Sequence, residues 1–269
     1  VAPGNYRDGV YPELILLPLA SLFADPTVAF DELVEFAAAQ PTRSLSAQLL
    51  VLFEWTTRRA GKTVWIERSG GTLAQLPELI ELFPNARFLH LHRDPYDVAR
   101  SMKAHHHMRL FALQHYGLRT AEGLSWSDLD ETDLRDDGPM SPRLQALFDH
   151  DVPLELFLRD WNEMVLRGFA SVKRLDVEQY AEVSFEDLQA DPRRILETIV
   201  DFFGLPKGDV WMDEAIGLLT PGKAGRATPS AEEAEQVRAF CHPALVLLDR
   251  ETSRPSSGNQ FSPRDDALI

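Results

Sequence analysis

An α/β fold built on a parallel sheet is what this sequence predicts. Three observations predict it: helix-spaced and strand-like apolar segments alternate, Asp-Pro pairs open two of the helices, and the strand-like segments end abruptly in polar residues. The order helix, strand, helix, strand, helix favours parallel strands joined by right-handed crossovers. With 269 residues, 44% of them hydrophobic, the chain can bury one large core. The expectation is a single domain over residues 1–250, followed by a flexible tail over 251–269 that is rich in Ser, Pro and Asp.

In chain order, "YPELILLPLASLF" and "VAFDELVEFAAA" read as two short helices. Residues 44–61 read as a longer one, with Ser44 or Ser46 as its start and Gly61 as its stop. "KTVWIE" is expected to be a buried strand ending at Glu67, followed by the turn "RSGG" and a helix "TLAQLPELIELF" that stops at Pro84. "ARFLHLH" is the next strand. One long helix is expected from Asp94 to Tyr116, with Asp94 as its cap and Pro95 in its first turn. Residues 121–140 carry seven acids against one Arg and no periodicity, which reads as an exposed loop or lid. "LELFLRDWNEMVLRGFASV" has apolar residues at helical spacing, "YAEVSFEDL" is a strand running into a polar turn, and "DPRRILETIVDFFGLP" is a helix stopped by Gly204 and Pro206.

The charge balance excludes broad classes of partner. A formal net charge of −15 and a pI near 4.9 argue against unspecific binding to nucleic acid or anionic membrane, so an anionic ligand needs a local cationic site. One cysteine, Cys241, excludes an internal disulfide and fits a reducing cytoplasm; it reads as a packed or surface thiol. No apolar run approaches the roughly 20 residues needed to span a bilayer.

Two tempting motifs fail on context. "GKT" at Gly61–Thr63 has Thr56 where a phosphate loop needs its first Gly, and it ends a helix instead of opening one. His105, His106 and His107 are consecutive, so on a helix they point three ways and not toward one metal.

Arg93 is better placed. It sits where a strand exits, one residue before a capped helix, the position at which open α/β sheets bind ligands and free helix amides favour anions. An Arg there can grip a phosphate with two parallel bonds, or else pair with Asp94 or Asp97 as structural glue. Ser101, two helical turns on, can add a hydroxyl. Glu67 holds the equivalent place on the preceding strand, with Arg68 beside it. If neighbouring strand ends share a cleft, Glu67 can take a proton from a hydroxyl and Arg68 can neutralise a leaving oxygen; the alternative is a salt bridge holding the turn.

Together these segments resemble the bacterial, actinobacterial-type branch of the sulfotransferase family, which uses 3'-phosphoadenosine 5'-phosphosulfate (PAPS) as sulfuryl donor. "VWIERSGG" looks like the family's strand ending in Glu-Lys-Ser-Pro, and "FPNARFLHLHRDPYDVARSM" looks like its "fPnAkfihlvRdPrdvvaSm" block. "LRDWNEMV" with "YAEVSFEDLQADPRRILETIVDFFGLP" looks like its Trp helix and Glu-Asp-Leu block. The implied fold is a P-loop NTPase-like three-layer sandwich, a central parallel sheet flanked by helices. By the resemblance, Arg93 and Ser101 hold the donor's 3'-phosphate, and Glu67, Arg68 and Ser69 lie near the transferring group. Lys223, Gly225 and Arg226 of "PGKAGRAT" correspond to the basic loop that touches the 3'-phosphate side. Glu67 is the expected base, with an upstream residue or the His105–His107 cluster as alternatives.

The chain departs from the pattern at Arg68 for Lys, Gly70 for Pro, and Phe185 where many relatives have Tyr. Nothing before Val64 resembles the family's N-terminal 5'-phosphosulfate loop, so the natural protein is expected to extend upstream of Val1. The reading is a nucleotide-binding transferase that needs no metal and acts on a hydroxyl of a small-molecule, sugar or lipid acceptor, with a homodimer as a candidate assembly. A P-loop kinase-like transferase and a non-catalytic 3'-phosphonucleotide-binding protein are the rival readings.

Overall fold

The computed structural model describes residues 19–68, 70–134, 139–219 and 228–252. They fall into two compact units. One comprises the described residues up to Gly70 with Glu81–Pro84, and the other comprises Gly71–Ile80 and the described residues from Asn85 on.

In the first unit, α1 (Pro26–Ala38) starts where Asp25 accepts from the amides of Thr27 and Val28, and α2 (Leu45–Arg59) starts where Ser44 accepts from Ala47. Gly61 follows α2 at φ 65°, a left-handed turn that ends the helix as expected. Leu19, Ala29 and Leu33 are buried there, with Phe36 stacked on Trp55 at 5.4 Å.

The expected strand at Lys62–Glu67 is not formed. Residues 64–68 make no ladder, and Val64, Trp65 and Ile66 are exposed, with Trp65 stacked on Phe53 at 4.2 Å. Strand propensity expresses itself only where a neighbouring edge supplies the ladder and an apolar face; here Trp65 finds a ring instead.

The second unit is organised around α7 (Leu154–Val172), whose Phe157, Leu158, Trp161 and Val165 are buried. A 3₁₀ turn (Thr72–Gln75) leads into α3 (Leu76–Leu82); β1 (Phe88–His92) follows, then α4 (Pro95–Ala104) and α5 (His106–His115). Beyond lie α6 (Pro142–Asp149), β2 (Tyr180–Ser184), α8 (Phe185–Ala190), α9 (Pro192–Phe203), α10 (Asp209–Leu218) and α11 (Ala231–Thr252). The 3₁₀ turn, α4 and α11 all pack on α7. β1 and β2 pair in parallel from Phe88↔Tyr180 to His92↔Ser184, and they are the sheet among the described residues. The chain is therefore α/β but mostly helical.

The single helix expected over Asp94–Tyr116 breaks at His105, whose backbone is extended at φ −95°, ψ 119°. Three successive His are weak helix formers, and Arg109 stabilises the break by donating to the carbonyls of Lys103 (2.7 Å) and Phe148 (2.7 and 3.1 Å). The acidic segment is not a free loop where it is described. Thr120, Ser125 and Asp133 are buried, Ser125 caps the turn Trp126–Asp128, and Arg143 bonds Asp133 at 2.7 Å. The polar turn expected after β2 is a short helix, α8, because Ser184 accepts from the Asp187 amide and caps it. α9 begins at Asp191 and ends at Gly204 (φ 66°), as read. Helices α6, α10 and α11 carry no expectation from sequence; α11 hides behind Pro243 in its interior.

Gly168 on α7 faces Leu73 so closely that a Cβ would lie 2.4 Å from the leucine's Cδ1 and 2.9 Å from its carbonyl oxygen. Gly168→Ala is expected to lower the urea midpoint by the equivalent of about 1–3 kcal/mol, the usual range for overpacking; an unchanged midpoint counts against this packing. Cys241 is buried beside the Leu158 carbonyl, and burial pushes its thiol up to about 12, with Asp94 adding to the effect. Its alkylation by iodoacetamide is therefore expected to follow unfolding, whereas rapid labelling of the native protein argues against the α7–α11 contact.

Candidate functional site

Parallel pairing carries the carboxyl ends of β1 and β2 to one edge of the sheet. β1 leaves through Arg93 and Asp94, β2 through Phe185 and Glu186. Asp94 caps α4 by accepting from Tyr96 (2.9 Å) and Asp97 (3.1 Å), while its own amide donates to Glu186 Oε1 at 3.1 Å. The two strand exits are thus tied together.

Arg93 is held from two sides. Its Nη2 donates to Asp97 Oδ2 at 2.9 Å, and its guanidinium carbon lies 5.1 Å from the Phe185 ring centroid. Phe185 therefore stacks, which is what a ring without a hydroxyl can do at this place. The structural-glue alternative for Arg93 is the arrangement present, but it does not use the whole group. Arg93 Nε is buried without a hydrogen-bond partner. Ser101 is exposed on α4, one turn past Asp97, so Arg93, Asp97 and Ser101 run along one flank of the helix at intervals of four residues.

Beside that flank runs α11. Tyr96 Oη donates to Glu233 at 3.0 Å, and Arg100 lies 5.6 Å from the Tyr96 ring. A cleft of about 270 Å³ is lined by Asp94, Tyr96 and Asp97 on one side and by Pro229, Ala234, Val237 and Arg238 on the other.

On the sheet itself, one face is polar. His90, His92, Tyr180 and Glu182 share it, since side chains alternate and His90 pairs with Glu182. Tyr180 Oη donates to Glu182 Oε1 at 2.6 Å and stands 3.2 Å from His90 Nδ1, so His90 Nδ1–H is the donor to the phenol oxygen. Among the described residues, the buried side-chain polar atoms without a partner are His92 Nε2, Arg93 Nε and Glu182 Oε2. All three belong to β1, β2 and the turn that leaves β1. Buried polar atoms are nearly always satisfied, so this concentration sets the sheet edge apart from the rest of the described residues. The "HLH" alternation is the sequence signal for this polar face.

Glu67 and Arg68 are exposed residues of the first unit, whereas Arg93 and Ser101 belong to the second. Ser69, Lys223, Gly225 and Arg226 lie outside the described residues. Among the described residues, no three His, Cys, Asp or Glu side chains are arranged to hold a metal ion, the His105–His107 run included. Nor is any described helix long and apolar enough to cross a membrane.

Residues 25–137 match a family model described as Sulfotransferase family. The matched span covers under half of the chain and takes in Glu67, Arg68, β1, Arg93 and Ser101; it supports a sulfotransferase family and transferase activity in general. No curated protein and no solved structure matches the chain.

Burial pushes the His92 imidazole below its ordinary value of 6.5; His90 adds to this, and Glu182, Glu186 and Asp187 oppose it. A depressed native value means that the unfolded chain binds protons more readily. The associated stability is present above 6.5 and is lost as pH falls through the native value. The melting temperature is expected to drop between pH 7 and 5, and His92→Gln is expected to remove part of that drop. A variant whose pH profile parallels the wild type shows that His92 contributes nothing to it.

Proposed function

We propose that this chain is a PAPS-dependent sulfotransferase that moves a sulfuryl group to a hydroxyl of a small-molecule, sugar or lipid acceptor. The observation that carries the reading is the alignment of Arg93 and Ser101 on one flank of a capped helix, at the carboxyl edge of a parallel strand pair, within the span that matches the family model. Arg93 fits a 3'-phosphate: its Nε lacks a partner and its Nη2 is bound only by an ion pair that a doubly charged ligand can displace. Ser101 supplies a hydroxyl donor from the same flank, and the Phe185 ring supports the Arg93 guanidinium. On this reading the fold is completed as the three-layer sandwich of the family, in one catalytic domain.

The segment containing Lys223, Gly225 and Arg226 leaves the described chain at Leu219, which packs with Val183, Leu188 and Ile195, and rejoins it by Pro229, which lines the cleft beside Asp94 and Asp97. Lys223, Gly225 and Arg226 are assigned to the 3'-phosphate side by the resemblance of their segment to the family's basic loop.

In the transfer, the acceptor oxygen forms the new S–O bond while the bond from sulfur to the donor's 5'-phosphate breaks. The acceptor's proton passes to a carboxylate, assigned here to Glu67, and Arg68 offsets charge on the leaving side. Most of the rate comes from positioning and charge neutralisation, as in phosphoryl transfer. The donor supplies the activated sulfuryl group, and the residues named above hold its far end. We place the enzyme in the cytoplasm, with no nucleic-acid partner.

Calorimetry of the full chain with adenosine 3',5'-bisphosphate tests this. Binding is expected, and Arg93→Ala should weaken it by about 1.5–3 kcal/mol, roughly 10- to 150-fold. Absence of binding by the folded chain refutes the reading. Tight binding that survives Arg93→Ala refutes the site, and binding of Mg-ATP in preference to the bisphosphate favours a kinase-like transferase.

A further inference from the structure

The polar face of β1 and β2 is more than a support for Arg93. Three of its four titratable side chains are joined, His90 Nδ1–H to Tyr180 Oη and Tyr180 O–H to Glu182 Oε1, and His92 lies on the same face. The chain of bonds stops there, with Glu182 Oε2 and His92 Nε2 both buried and bare. His90 and Glu182 are each only 10% exposed, so an unpaired polar atom here carries a desolvation cost. When the His92 proton is on Nδ1, the two bare atoms are both acceptors. One added proton is the donor that the layer lacks.

The surroundings decide when that proton arrives. His92 is faced by Glu182 from β2, by Glu186 and Asp187 from α8, and by His90 from its own strand. Phe169 of α7 brings only an edge-on ring, 5.9 Å from His90, and α4 brings Asp94 and Asp97 at the Arg93 side. In the free chain Arg93 is already paired with Asp97, and Arg238 lines the cleft beside Asp94 and Asp97. An anion seated on Arg93 adds negative charge to an edge that holds five carboxylates, one residue along the chain from His92. Burial keeps the free imidazole neutral; a new neighbouring anion favours its charged form.

We propose that anion binding at Arg93 drives the uptake of one proton from solvent by His92, which then pairs with Glu182. His92 is thus a positioning residue that couples the grip of Arg93 to pH. The inference rests on the anion-site reading of Arg93 given above, and its test separates the two. By linkage, affinity rises as pH falls, by up to about tenfold per pH unit, the limit for one coupled proton.

The test is calorimetric titration of the full chain with adenosine 3',5'-bisphosphate at pH 7 in buffers of different ionisation enthalpy, which counts protons taken up per ligand. The ligand's own phosphate also titrates in this range, and equally for every variant, so the difference between wild type and His92→Gln isolates the imidazole. Net uptake in the wild type is expected to exceed that of His92→Gln by most of a proton, and the wild-type affinity to climb more steeply from pH 8 to pH 6. Glu182→Gln is expected to keep binding but lose most of the excess uptake, and it decides the matter if His92→Gln does not melt cooperatively. Equal proton counts in wild type and the deciding variant, with binding intact, overturn this inference and leave the anion site standing. No binding by the folded wild type at either pH overturns the anion-site reading and this inference with it.

Discussion

Parallel pairing of β1 with β2 is the constraint on which the rest of the second unit depends. Parallel strands must deliver their carboxyl ends to the same edge, and here that geometry brings Arg93, Asp94, Phe185 and Glu186 together from positions almost a hundred residues apart. The hydrogen bond from the Asp94 amide to Glu186 then locks the two exits, and the Asp94 cap aims α4 away from the edge. With α4 directed in this way, its apolar side meets α7, and its polar flank, with Asp97 and Ser101, is left beside Arg93.

Packing around α7 supplies the stiffness that this edge needs. The helix buries Phe157, Leu158, Trp161 and Val165 against α4, α11 and the Thr72–Gln75 turn, and Gly168 allows that turn to sit nearly in van der Waals overlap. α11 in turn presents Glu233 to Tyr96 and closes one side of the cleft. The residues nearest the proposed chemistry therefore hang from a core they do not belong to.

Features governed by local rules could be read from the sequence. Asp94-Pro95 and Asp191-Pro192 start helices, Gly204 stops one, and α7 declares itself by its spacing, because caps, left-handed turns and helical periodicity need no distant partner. Arg93 followed from the same logic, being a strand end before a cap. What failed depended on partners far away in the chain. Val64–Ile66 have strand composition but no ladder, the helix expected through His105 is interrupted with help from Phe148 of a distant segment, and the acidic stretch folds down because Arg143 and Ser141 reach Asp133. Asp97 as the partner of Arg93 was one of two options at the sequence level, and only the fold of α4 selected it over Asp94. The buried polar layer shows only by half in the sequence, as the "HLH" alternation, because Glu182 becomes a neighbour of His90 only through the strand register.

If Arg93 holds an anion as proposed, its ion pair with Asp97 has a consequence for selectivity. Asp97 behaves as a built-in competitor tethered at high local concentration, so a ligand that carries no more charge than a carboxylate gains little by replacing it. A dianion gains, because it offers the guanidinium a stronger field than the side chain it evicts. On the proposed reading of Arg93 as an anion site, the pair is a threshold that sorts visitors by valence, favouring a doubly charged group over abundant monoanions.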